Sequence, residues 1–169
     1  MTTPLVLGLG NTLFGDDGVG VKVIERLEEE RCGAEIINGA TLGLSLFDIL
    51  KNNEKVIVVD AVDMGGNPGD ISFFTAGELL SLPENRNFSL HEIGLLEVLK
   101  IGQALEENFE NIMIIGIQPG RLDQGEGLSP EVENKLPEIV GMIKKEVNEH
   151  GSHTRNIKRD EPVRVSETG

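Results

Sequence analysis

The 169-residue chain reads as an α/β protein, a three-layer αβα sandwich around a mixed, mainly parallel twisted sheet of about five strands. Three observations predict this class. Almost uniformly apolar runs of strand length recur, as in Leu5-Val6-Leu7, Val56-Ile57-Val58-Val59 and Ile112-Met113-Ile114-Ile115, which is the pattern of strands covered on both faces by helices. Between them lie longer segments with apolar residues at helical spacing. The first junction from strand to helix carries glycines and a pair of aspartates, Gly8-Leu9-Gly10-Asn11-Thr12-Leu13-Phe14-Gly15-Asp16-Asp17-Gly18-Val19-Gly20, and in open α/β sheets such a turn forms a wall of the ligand crevice.

The elements follow in order. After the opening strand, Val19, Val23, Ile24 and Leu27 mark one face of a helix over about 18–31, with Lys22, Glu25, Arg26, Glu28 and Glu29 on the other. Asp16 and Asp17 stand at its start, where unpaired amides and the helix dipole favour carboxylates. A short strand over 34–37 leads into the loop Asn38-Gly39-Ala40-Thr41-Leu42-Gly43, and a second helix spans 44–50. The segment 55–62 is expected to be the central strand. The turn-rich stretch from Asp63 to Gly69 returns the chain as a short antiparallel edge strand over 70–75. Residues 76–90 read as mostly irregular, and His91 precedes a helix carrying Leu95, Leu96 and Leu99. A buried strand over 111–117 ends in Gly116-Ile117-Gln118-Pro119-Gly120. Ser129 then reads as an N-cap with Pro130 at the first helical position, and Pro137 sets off a main helix over about 137–149. Residues 1–149 are expected to form one domain and 150–169 a mobile C-terminal tail, since only Ile157, Val163 and Val165 are aliphatic there.

Composition narrows the function classes. A chain of this size buries about 70% of its unfolded surface and needs no staples. The single cysteine, Cys32, excludes an internal disulfide and a cysteine metal cluster. With 15 Lys and Arg against 29 Asp and Glu, the net charge is −14. That argues against nucleic-acid binding, which needs clustered cations. No apolar run approaches the roughly 20 residues of a membrane span, and the N-terminus lacks the regions of a signal peptide, so no membrane insertion and a cytoplasmic location are expected. The sequence leaves the oligomeric state open.

Two constellations compete for the glycine-rich turn. A phosphate cradle fits poorly, because Gly8 and Gly10 match a dinucleotide fingerprint but Leu13 stands where the third glycine belongs, and Asp16 and Asp17 would sit beside the phosphates. A cation site fits better. Asp60 closes a run of four buried aliphatics, where a carboxylate is costly unless it is paired, hydrogen-bonded or bound to a cation. If the strand order begins 2-1-3, Asp17 and Asp60 face the same crevice, and His91 could join them. Two carboxylates and an imidazole suit a borderline transition metal better than magnesium or calcium, and an open position would permit metal-assisted hydrolysis. Without metal, two carboxylates in one cleft suit aspartic-type acid–base catalysis on an amide.

The opening motif 8–20, the strand end Val59-Asp60-Ala61, the segment Ser89-Leu90-His91-Glu92-Ile93-Gly94-Leu95 and Gly116-Ile117-Gln118-Pro119 together resemble the hydrogenase maturation endopeptidases, over about residues 4–148. The resemblance implies a peptidase that removes a C-terminal extension from the precursor of a nickel-iron hydrogenase large subunit after nickel insertion. It implies that nickel, supplied by the precursor rather than held permanently, is contacted by Asp17, Asp60 and His91, which become the expected catalytic and metal-binding residues. Many members carry glutamate at the position of Asp17. The loop 38–43 departs from the family's Asp-Gly-Gly-Thr at Asn38 and Ala40 while keeping Gly39, Thr41 and Gly43, which are expected to line the substrate groove. The alternative is a nickel-binding maturation chaperone that uses the same residues without cutting.

Overall fold

The computed structural model describes residues 2–40, 42–83 and 94–159, the last nine of these by their backbone alone. Five strands, β1 (Leu5–Gly8), β2 (Glu35–Asn38), β3 (Val56–Ala61), β4 (Ile71–Phe74) and β5 (Ile112–Ile117), form one sheet in the order β2-β1-β3-β5-β4. All neighbours are parallel except β4, which pairs antiparallel with β5 at the edge, as its turn-rich lead-in predicts. The strand order reverses between β1 and β3, which makes their carboxyl ends the switch point of the sheet.

Alternation along the strands sorts the core into two layers. Val6, Ile57, Val59, Ala61, Ile115 and Ile117 face one side and pack against α1 (Val19–Glu30), α5 (Pro130–Glu133) and α6 (Leu136–Arg159). Leu5, Leu7, Val56, Val58, Ile112 and Ile114 face the other and pack against α2 (Ser45–Asn52), α3 (Ala76–Leu80) and α4 (Leu95–Ala104). Val56 to Val59 have no exposed surface, and full burial of each such side chain contributes about 1.5–3 kcal/mol. The three-layer sandwich predicted from the sequence is thus the observed architecture.

Several local expectations are corrected. The segment 76–90 is expected to be mostly irregular; its part from 84 on lies outside the described residues, and at its start Thr75 caps a short helix, α3, its Oγ1 accepting the Glu78 N–H at 3.1 Å. The final helix runs to Arg159 rather than ending near 149, with Pro137 in its first turn, where a missing N–H costs nothing. The first helix opens with a 3-10 turn over Gly15–Gly18 before α1 begins at Val19. Ser129 precedes α5 but makes no side-chain cap; its hydroxyl is used elsewhere. None of the described helices is long and apolar enough to cross a membrane.

Candidate active site

The turn after β1 is held against the sheet by close backbone contact. A Cβ on Gly20 would lie 2.3 Å from both the Leu9 and Val59 carbonyl oxygens, and one on Gly8 would lie 2.4 Å from the Gly20 oxygen. Only glycine at these positions lets α1 begin directly over β1 and β3. Gly10, at φ +118, turns the chain where a Cβ would meet the Asp17 carbonyl oxygen. The 3-10 turn therefore delivers two consecutive aspartates at the switch point, in opposite circumstances.

Asp16 has no exposed surface. Its Oδ2 accepts the N–H of Gly120 at 2.8 Å, the N–H of Arg121 at 2.9 Å and the Ser129 hydroxyl at 2.7 Å, while Oδ1 accepts the Ser129 N–H at 2.7 Å. Burial alone would raise its pKa, but the bonds from Ser129, Arg121 and Gly120 outweigh it and hold the carboxyl below its ordinary value. Asp16 is thus a structural junction between the first turn and the loop after β5. This is where the Ser129 hydroxyl goes, in place of the expected helix cap.

Asp17 is only partly buried, and its Oδ2 accepts the Asn11 N–H at 2.9 Å. Asp60, half-buried and the last residue but one of β3, sits opposite Gly116 in the ladder. Burial pushes its carboxyl up to about 8, and the charge of Asp17 adds to the rise; the Ala61 N–H offsets it in part. The structure thus brings Asp17 and Asp60 together, as the strand order 2-1-3 requires. With its carboxyl pushed up to about 8, Asp60 favours its protonated form near neutral pH beside the Asp17 carboxylate. A cation between them would relieve the repulsion and restore the second charge.

His91 and Thr41 lie outside the described residues. Among the described residues no three His, Cys, Asp or Glu side chains converge as a metal site. Gly39 is buried beneath β1; its N–H donates to the Gly8 carbonyl at 2.7 Å, and a Cβ there would lie 2.6 Å from Leu9 Cδ2. Gly43 adopts a left-handed φ of +53 in open space beside the exposed Leu44. Gln118, buried beyond β5, is a further functional candidate, to which the motif Gly116-Ile117-Gln118-Pro119 by itself assigns no role. Its signal was the one that marked Asp60, a polar side chain ending a run of buried aliphatics.

Fold and site together define a doubly wound α/β protein with a carboxylate pair at its switch point. Residues 21–146 match the family model described as hydrogenase maturation protease. The chain is 30% identical over 151 residues to the hydrogenase 2 maturation protease of Escherichia coli, covering 87% of this chain and 92% of that protein. It is 32% identical over 142 residues to the hydrogenase expression/formation protein HupD of Thiocapsa roseopersicina, covering 82% of this chain but 64% of the relative. Among solved structures, the hydrogenase maturating endopeptidase HybD from E. coli superposes with a TM-score of 0.72 at 28% identity, over 88% of this chain and 94% of that one. The HybD maturation protease of Thermococcus kodakarensis gives 0.68 at 29%, over 86% and 99%. The chain belongs to the hydrogenase maturation protease family.

Proposed function

We propose that this chain is an endopeptidase that removes a C-terminal extension from the nickel-loaded precursor of a nickel-iron hydrogenase large subunit. The observation that carries the reading is the convergence of Asp17 and Asp60 at the switch point, with the second carboxyl pushed up by burial and by the first. Nickel is part of the substrate here, held by the precursor. Asp17, Asp60 and His91 engage it from the enzyme side, and the scissile peptide is thereby seated in the crevice. Asp60, its carboxyl pushed up by burial and by Asp17, holds a poised proton, and approach of the cation favours its ionised form. The match of charge makes the site complementary to a loaded precursor and less so to an empty one. Gly43, which borders open space beyond β2, contributes to the wall of the substrate groove.

Water attack on the peptide carbonyl is assisted either by a carboxylate of the pair, which takes the water's proton, or by the substrate's metal, which polarises the carbonyl or the water. The test is the intact mass of a nickel-loaded precursor before and after incubation with the protein, beside a nickel-free control. Loss of one C-terminal peptide only with nickel supports the reading. An uncut loaded precursor that nonetheless binds would establish the chaperone alternative, and equal cleavage without nickel would show an acid–base mechanism indifferent to the metal.

A further inference from the structure

Gln118 ends the last parallel strand and is 6% exposed. Its Oε1 accepts the N–H of Met64 at 2.7 Å and of Gly66 at 3.1 Å, and its Nε2 donates to Asp63 Oδ1 at 3.0 Å and to the Pro119 carbonyl at 3.4 Å. Its main chain ties the far end of the same loop, the Gln118 N–H donating to the Asp70 carbonyl at 2.8 Å and the Gly69 N–H to the Gln118 carbonyl at 2.9 Å. One residue thereby grips both ends of the loop that leaves β3. That loop starts immediately beyond Asp60: the Val62 N–H donates to the Ile117 carbonyl at 3.0 Å, and Asp60 itself pairs with Gly116, two residues before Gln118.

The chemistry requires an amide. A neutral side chain with an acceptor and a donor on one carbon can take two backbone N–H groups and give to a carboxylate at the same time. A hydrocarbon would leave those N–H groups without their acceptor in a buried place. A glutamate would set a second carboxylate against Asp63, whose Oδ1 already accepts the Gly65 N–H at 3.0 Å. The other side of the same β5 exit holds Asp16 through Gly120 and Arg121, so the segment after β5 grips both the turn that carries Asp17 and the loop that follows Asp60.

We propose that Gln118 is a positioning residue for the cleavage, with Asp63 as its partner: it clamps residues 63–66 and so sets where Asp60 stands relative to Asp17. The inference rests on the proposed peptidase reading and deepens it. A misplacement of about 1 Å in such a constellation costs on the order of 100-fold in rate, so the clamp governs turnover more than substrate affinity.

The experiment compares wild type, Gln118→Glu, Asp63→Asn and the double variant in nickel-loaded precursor cleavage, at a temperature where circular dichroism shows all four folded. Amide hydrogen exchange at Met64 and Gly66 is followed by NMR in parallel. Gln118→Glu is expected to lower kcat by about 10- to 100-fold with KM changed far less, and to speed exchange at both amides. Adding Asp63→Asn restores a donor opposite the new carboxylate and should return most of the kcat and the protection, which a general loss of stability would not do. Unchanged exchange in Gln118→Glu overturns the clamp whether or not the precursor is cut. Faster exchange with full kcat, or a folded double variant without rescue, overturns the positioning role. A wild-type protein that leaves the loaded precursor intact refutes the peptidase reading separately, while the exchange data still decide the clamp.

Discussion

Replacing Asp16 with asparagine isolates what a buried carboxylate does for this fold. Four hydrogen bonds end on its two oxygens, three on Oδ2 and one on Oδ1. Asparagine can keep its oxygen on the side that receives three donors, but its amide then faces the Ser129 N–H, and that buried donor loses its acceptor at about 1–3 kcal/mol. The three remaining bonds lose the assistance of the negative charge, which roughly halves their strength and costs about 0.5–1 kcal/mol each. The sum is about 2.5–6 kcal/mol, or a fall in Tm of roughly 5–25 °C for a domain of this size. The pH dependence supplies a second signature. The folded pKa of Asp16 lies below the unfolded value, so the unfolded chain binds the proton first as pH falls. The contribution of the carboxylate is therefore complete above its ordinary value of 3.8 and is lost as pH drops through the lowered folded value. Thermal unfolding of both proteins, followed by circular dichroism from pH 7 to pH 3, should show a gap that is widest at neutral pH and narrows below about pH 4. A variant that melts with wild type at pH 7, or a gap that stays constant on acidification, would refute the assignment of Asp16 as the junction.

Three further outcomes are expected. Asp60→Asn should abolish precursor processing in the mass assay while folding normally. Because the Asp60 carboxyl rises from 3.8 to about 8 on folding, its protonation stabilises the fold fully below the unfolded value and that contribution is lost as pH climbs through about 8; the variant should gain on wild type across this window in Tm measurements. Asp17→Ala should lower the Asp60 pKa read by carboxyl-carbon NMR, yet leave it above the ordinary value, since burial is the larger cause; an unmoved Asp60 would show that the two side chains do not feel each other. Gly20→Ala should destabilise by about 2–4 kcal/mol, because its Cβ would lie 2.3 Å from two main-chain oxygens, and chemical denaturation should register it as a lower midpoint.

How much of this was legible beforehand depends on the range of the interaction. The strands and most helices follow from periodicities of a few residues, and the antiparallel edge of β4 from the turn formers at Asn67-Pro68-Gly69. Asp60 stood out because its cost is local, a carboxylate ending four aliphatics that could only be buried. The pairing with Asp17 followed once the order 2-1-3 was assumed, because adjacent parallel strands place their carboxyl ends side by side. The helix α3 was missed because a five-residue helix offers too little periodicity to stand out beside the polar sequence after it.

By itself, then, the sequence determined the class of fold, the two apolar faces of the sheet, the crevice and its two acidic candidates, all of which rest on patterns within single segments. Only the tertiary structure gave Asp16 its role as a buried junction beside Asp17. The two are neighbours of identical chemistry, and the partners that distinguish them lie 104 to 113 residues away along the chain. The same holds for Ser129, whose hydroxyl prefers a buried carboxylate to the helix it precedes, and for Gln118, whose partners lie 52 to 55 residues back. A hydrogen bond is decided by which donor and acceptor the packed chain leaves within about 3 Å of each other, and that proximity is created by the sheet.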